Sequence, residues 1–149
     1  MNIYIGADYR GFEKKQRVLD FLAGENCNVT DEGAYAYNEG DDFNDPAVAV
    51  AKAVREDLGA FGILICDSAH GVTIQANRFK GIRAAHCDSE ESAKLAREHD
   101  DANVLCLSAQ FLDEEKMRNI IKTFLETSFQ NIERRVRRIN RLDEREDYD

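Results

Sequence analysis

The chain is short of the features that mark linkers, membrane anchors and polyanion binders. It has one proline in 149 residues while 43% of its residues are hydrophobic, so it is neither a proline-rich linker nor a disordered tail. No stretch approaches the ~20 apolar residues of a membrane helix, and Met1-Asn2-Ile3-Tyr4-Ile5 does not read as a signal peptide. Positive charge is scarce: 20 Lys and Arg against 29 Asp and Glu leave a net −9. That balance argues against nucleic acid or an anionic membrane as partner. The four cysteines, Cys27, Cys66, Cys87 and Cys106, form no C-x-x-C pair and no compact disulfide framework. A soluble cytoplasmic protein with free thiols, most of them core filler, is the expectation. Repeats, low-complexity tracts and linkers are missing too, and the length suits one domain over 1–149.

What is there alternates. Asn2-Ile3-Tyr4-Ile5-Gly6, Cys27-Asn28-Val29-Thr30, Phe61-Gly62-Ile63-Leu64-Ile65-Cys66, Gly81-Ile82-Arg83-Ala84-Ala85 and Asn103-Val104-Leu105-Cys106-Leu107 read as strands. The third is apolar without alternation, as a central parallel strand covered on both faces must be. Between them lie helical patterns: about 12–22, one opened by Pro46, a short one over 73–77, one capped near Asp88-Ser89-Glu90-Glu91, and one capped by Asp113. Residues 31–45 read as an acidic loop. The βα rhythm predicts a three-layer α/β/α, doubly wound, Rossmann-like sheet of five parallel strands. A final basic helix is expected over about 130–146, with six arginines from Arg134 to Arg145 and a narrow apolar stripe of Val136, Ile139 and Leu142. It reads either as a solvated face or as a helix that extends to a partner subunit.

Ligands of open parallel sheets bind beyond the carboxyl ends of the strands. That rule selects Asp8 and the turn Cys66-Asp67-Ser68-Ala69-His70-Gly71. Small residues running into a helix present N–H groups suited to a phosphate or an oxyanion, and such dipoles should favour a Cys66 thiolate as base or nucleophile. A strand-end cysteine used only for packing remains the plainer alternative. His99, flanked by carboxylates in Arg97-Glu98-His99-Asp100-Asp101, is a candidate proton donor. His86 has no evident partner. No metal-ligand spacing occurs, and the lack of G-x-G-x-x-G argues against a nucleotide-binding protein.

Nearly the whole chain resembles the ribose-5-phosphate isomerase B and galactose-6-phosphate isomerase family. Ile5-Gly6-Ala7-Asp8-Tyr9-Arg10-Gly11-Phe12 is similar to its G-x-D-H-A-G-F. Cys66–Gly71 is similar to its C-G-T/S-G-x-G, and Ala76-Asn77-Arg78-Phe79-Lys80-Gly81-Ile82-Arg83-Ala84 to its A-N-K/R-x-x-G-I-R-A. Arg97–Leu105 resembles R-E-H-N-D-A-N-V-L. The resemblance implies a metal-free, cofactor-free aldose–ketose isomerase of sugar phosphates, of the pentose phosphate type, working through a cis-enediolate. It also implies a homodimer with sites at the subunit interface, or a higher oligomer, or a hetero-oligomer with a related chain. By position Cys66 matches the base, Ser68 the assisting hydroxyl, residues 67–71 the oxyanion loop, and Asp8 and His99 the groups linked to sugar binding and ring opening. Substrate contacts map to Tyr9, Arg10, Phe43, Asp67, Ala69, His70, Gly71, Asp100 and Arg135.

Several positions depart from the family pattern. Tyr9 replaces histidine, Arg10 alanine, Asp67 and Ala69 loop glycines, Phe43 tyrosine, Asp100 asparagine, Gln110 arginine, and Asn131 the first of two paired arginines. Replacing loop glycines narrows the backbone angles available there. An altered phosphate grip beside an intact Cys66, Ser68, Asp8 and His99 suggests an isomerase with a shifted substrate. The competing reading is a non-catalytic sugar-phosphate-binding subunit or sensor on the same fold.

Overall fold

In the computed structural model, which describes residues 1–144, the expected alternation is present throughout. Strands β1 (Asn2–Ala7), β2 (Asn28–Asp31), β3 (Phe61–Cys66), β4 (Ala84–His86) and β5 (Val104–Ser108) pair in parallel in the order β2-β1-β3-β5-β4. Helices α1 (Phe12–Ala23), α2 (Asn44–Glu56), α3 (His70–Ala76), α4 (Glu90–Asp100), α5 (Glu114–Glu126) and α6 (Glu133–Leu142) make up the rest of the regular structure among the described residues.

The pleat of β3 explains the three layers, because successive side chains point to opposite faces. Ile63 and Ile65 join Val18 and Leu22 of α1, Ala93 of α4, and Met117, Ile120, Ile121 and Phe124 of α5 in one buried cluster. Leu64 and Cys66 join Ala47, Val50, Ala51 and Val54 of α2 and Val72 and Ala76 of α3 in the other. The first strand sends the chain outward to β2 and the third begins on its opposite side, so the topological switch lies between β1 and β3. A buried ion pair, Lys15 Nζ to Asp31 at 2.7 Å, ties α1 to the end of β2. Lys15 also donates to the Ala34 carbonyl, which anchors the start of the 32–43 loop.

The boundaries that moved have local causes. The fourth strand is Ala84–His86 rather than 81–85: Gly81 takes φ 83°, and the Asn103 side chain holds the Arg83 N–H at 2.8 Å. It is also an edge strand, pairing with β5 alone. The second strand is shifted one residue to Asn28–Asp31. Helix α3 begins at His70, earlier than the expected 73, and α2 begins at Asn44 with Pro46 still in its first turn. The two side-chain caps form as expected: Ser89 Oγ accepts from Ser92 N–H at 3.1 Å and Asp113 Oδ1 from Lys116 N–H at 2.8 Å. Helix α6 covers Glu133–Leu142 of the expected 130–146. Arg145 and Glu146 lie outside the described residues. Among those described, no helix is long and apolar enough to cross a membrane.

Candidate active site

Gly11 is the hinge pin of the site. A Cβ there would sit 2.3 Å from the Ile65 carbonyl oxygen, so only glycine lets the turn after β1 lie against the end of β3. Its N–H donates to Asp8 Oδ1 at 3.0 Å and to the Asp8 carbonyl at 3.1 Å. This close approach brings Asp8, 8% exposed, and Cys66, 4% exposed, into one electrostatic environment. Burial pushes the Asp8 carboxyl up from its ordinary value; the Gly11 N–H opposes that, and Asp41 and Asp67 add to it.

Cys66 departs from the sequence expectation. The N–H groups of Val72 and Ala69 do draw its thiol downward, but burial outweighs them, and the charges of Asp8 and Asp67 push the same way as burial. The net direction is up, so the free protein favours the thiol. The helix dipole was the visible part of the balance, and the lost water was the larger part.

Around the sulfur, the turn is held in place by its own groups. Ala69 adopts the left-handed angle φ 71° despite its methyl, and caps α3. Ser68 Oγ accepts from the His70 N–H at 3.3 Å, while Ser108 Oγ donates to the Asp67 carbonyl at 2.6 Å. The Gln110 N–H donates to the same carbonyl at 3.1 Å. Phe43 lies across Gly71, where a Cβ would come within 2.8 Å of the ring. His70 packs edge-on against His86, ring centroids 5.5 Å apart, which supplies the partner that sequence reasoning missed. Burial, then His70, pulls the His86 imidazole down.

Sequence reasoning also missed Asp41 and Tyr37, both in the acidic loop. Asp41 Oδ1 accepts from the Tyr9 N–H at 3.1 Å, and its Oδ2 is buried with no hydrogen-bond partner. Tyr37 meets Tyr9 edge-on at 6.0 Å. The only available signal was an unusual density of Tyr and Asp in a loop.

His99, Asp100 and Arg135 stand elsewhere. They cluster at the end of α4, where the Glu98 carbonyl accepts from the Gln130 N–H at 3.0 Å and from Arg135 Nη1 at 3.4 Å. Arg135 Nη1 also donates to Gln130 Oε1. That turn leads into Val104, which pairs with Gly62, whereas Cys66 pairs with Ser108. Four residues of strand, roughly 13 Å, therefore separate the two levels within one chain. Among the described residues no group of three or more His, Cys, Asp or Glu could hold a metal ion.

Asp8 and Cys66, two buried titratable groups, stand at the switch point of a doubly wound α/β sheet, the place where proteins of this class take small ligands. The Ribose/Galactose Isomerase family matches residues 3–142, and the chain belongs to that family. Among its relatives, a probable ribose-5-phosphate isomerase B of Mycoplasma genitalium is 39% identical over 142 residues, covering 95% of this chain and 93% of that one. A ribose-5-phosphate isomerase B of Mycobacterium tuberculosis is 35% identical over 148 residues, covering 98% and 90%. The crystal structure of a ribose 5-phosphate isomerase of Thermotoga maritima superposes with a TM-score of 0.92 at 38% identity, covering 97% of this chain and 98% of that one. The Mycoplasma genitalium enzyme with bound ribulose-5-phosphate gives 0.91 at 39%, covering 95% and 93%.

Proposed function

We propose that this protein is an aldose–ketose isomerase of phosphorylated sugars, of the ribose 5-phosphate/ribulose 5-phosphate type, acting in the cytoplasm as a one-domain homodimer. The seat of Cys66 carries this reading: a buried thiol at the switch point, with the Ala69 and Val72 N–H groups near enough to draw it down and the charge of Asp8 near enough to push it up. As thiolate, Cys66 removes the C2 proton of the open-chain aldose. The C–H electron pair becomes the C1=C2 bond, and negative charge collects on the former carbonyl oxygen. The N–H groups of residues 67–71 and the Ser68 hydroxyl are the donors for that charge. Return of the proton from Cys66 to C1, with the O2 proton passing to the negatively charged O1 as C2=O forms, gives the ketose and restores the Cys66 thiolate. Asp8 and His99 handle the ring-opening proton.

The homodimer is supported by the separation of the two levels. His99 cannot reach a sugar on Cys66 of its own chain, but His99, Asp100 and Arg135 of the partner subunit complete a site in a two-fold assembly. Helix α6 buries none of its residues on its own protomer and leaves Leu142 52% exposed, as a helix reserved for a second copy would.

Proton transfer to solvent tests the reading. Ribose 5-phosphate and ribulose 5-phosphate, alongside other pentose, hexose and tetrose phosphates, are incubated with the protein in deuterium oxide. Deuterium is expected at the carbon that receives the proton, and only with Cys66 intact. No exchange with any sugar, or full exchange in Cys66→Ala, overturns it.

A further inference from the structure

Five loops leave the carboxyl ends of the strands: residues 8–11, 32–43, 67–69, 87–89 and 109–113. They hold eight Asp or Glu and a single Lys or Arg, Arg10. A sugar phosphate entering there brings further negative charge into an already acidic mouth, and each unpaired anion weakens the others. The nearby cation on α1 is committed elsewhere: Lys14 Nζ donates to the Ala109 carbonyl at 2.7 Å and to that of Leu112.

Arg10, by contrast, is presented. Its Nε–H donates to the Tyr9 hydroxyl at 3.2 Å, and its Cζ lies 5.3 Å from the centre of the Tyr9 ring. Tyr9 is fixed in turn by Asp41 on its N–H and by the edge of Tyr37. Among the described residues no carboxylate is within 4.0 Å of Arg10, and neither Nη group has a hydrogen-bond partner. Asp67, on the Cys66 turn, is near enough for its charge to be felt at the guanidinium. The planar pair of free Nη donors is the geometry that grips a phosphate in two places.

We propose that Arg10, braced by Tyr9 and Tyr37, is the phosphate anchor that each protomer supplies to its own Cys66 site, and so selects phosphorylated over free sugars. The inference rests on the isomerase reading for the sugar, but not for the anion. It is tested on the full chain with two probes that need no turnover, inorganic phosphate and the polyol pair ribitol 5-phosphate and ribitol, titrated by calorimetry. Arg10→Ala is expected to weaken inorganic phosphate about tenfold or more, with a loss for ribitol 5-phosphate at least about tenfold larger than that for ribitol. Arg10→Lys, a point charge without the fork, should fall between, and Tyr9→Phe should cost a smaller factor by unbracing the guanidinium. Phosphate affinity unchanged in Arg10→Ala, or an equal loss for both polyols, overturns the anchor and assigns the grip to the partner's helix. Arg10-dependent phosphate binding in a protein that exchanges no sugar proton upholds the anchor while the isomerase reading falls.

Discussion

At the carboxyl ends of β1 and β3, Asp8 and Cys66 are nearly closed off from water, and burial favours the neutral form of each. At the opposite end of the same sheet, His99 and Asp100 stand on the last turn of α4, with Asp100 exposed and Arg135 half-buried on a helix that hardly touches its own protomer. One end has the dehydrated groups whose proton affinity is adjustable. The other has solvated groups that can be offered to another molecule. The contrast teaches that a site at a sheet's end is tuned by what shields it, and that completeness need not be a property of one chain.

The largest expected effect breaks the comparison outright. Cys66→Ala should lower the isomerisation rate by about 100-fold or more, the usual weight of a positioned base. His99→Asn should be strongly impaired as well. If the two ends meet only between protomers, mixing the inactive variants and allowing subunits to exchange should restore about a quarter of the wild-type rate, since half the dimers are mixed and each has one intact site. Coupled assay of the mixture reads this directly, and a mixture as dead as its parents would mean that each chain works alone.

Next in size is the joint between the two loops. Gly11→Ala forces a methyl onto the Ile65 carbonyl, so destabilisation on the order of 3 kcal/mol is expected in urea unfolding, with loss of activity. A variant of native stability would show that the turn can swing away, and that the closeness of Asp8 and Cys66 is not imposed by the fold.

A smaller effect sharpens the electrostatic half. On the proposed mechanism the base works as thiolate, and Cys66 is held above its ordinary value, so activity should climb with pH along an alkaline limb and fade as the thiol regains its proton below it. Asp67 contributes to that rise. Asp67→Asn should therefore move the limb of the kcat/KM profile toward lower pH. Motion in the other direction would contradict the assigned cause.

Least is expected of Ala69→Gly. Relief of the left-handed angle favours the variant by about 1 kcal/mol, and the freer unfolded chain takes back a similar amount. Thermal unfolding should shift by only a few degrees, upward if the strain term is the larger.

The strand Phe61–Cys66 and the caps at Ser89 and Asp113 were legible residue by residue, because each depends on neighbours within a few positions. Composition and pattern alone determined the layered parallel sheet and the strand-end turn around Cys66, while the family was legible only through the resemblance of motifs such as Arg97–Leu105. The edge strand β4 slipped because its limits are set by a left-handed Gly81 and by Asn103, 20 residues beyond Arg83. The pairings of Tyr9 with Asp41, of Tyr9 with Tyr37 and of His70 with His86 join segments far apart in the chain, where no local period carries a trace. Only the tertiary structure decided that burial pushes the Cys66 thiol up, that His99 lies at the wrong end of its own sheet, and that Arg10 is, among the described residues, the one Lys or Arg on the loops at the carboxyl ends of the strands. Solvent exclusion, charge proximity and chain direction are properties of a packed three-dimensional object, and a linear pattern of residue types records none of them.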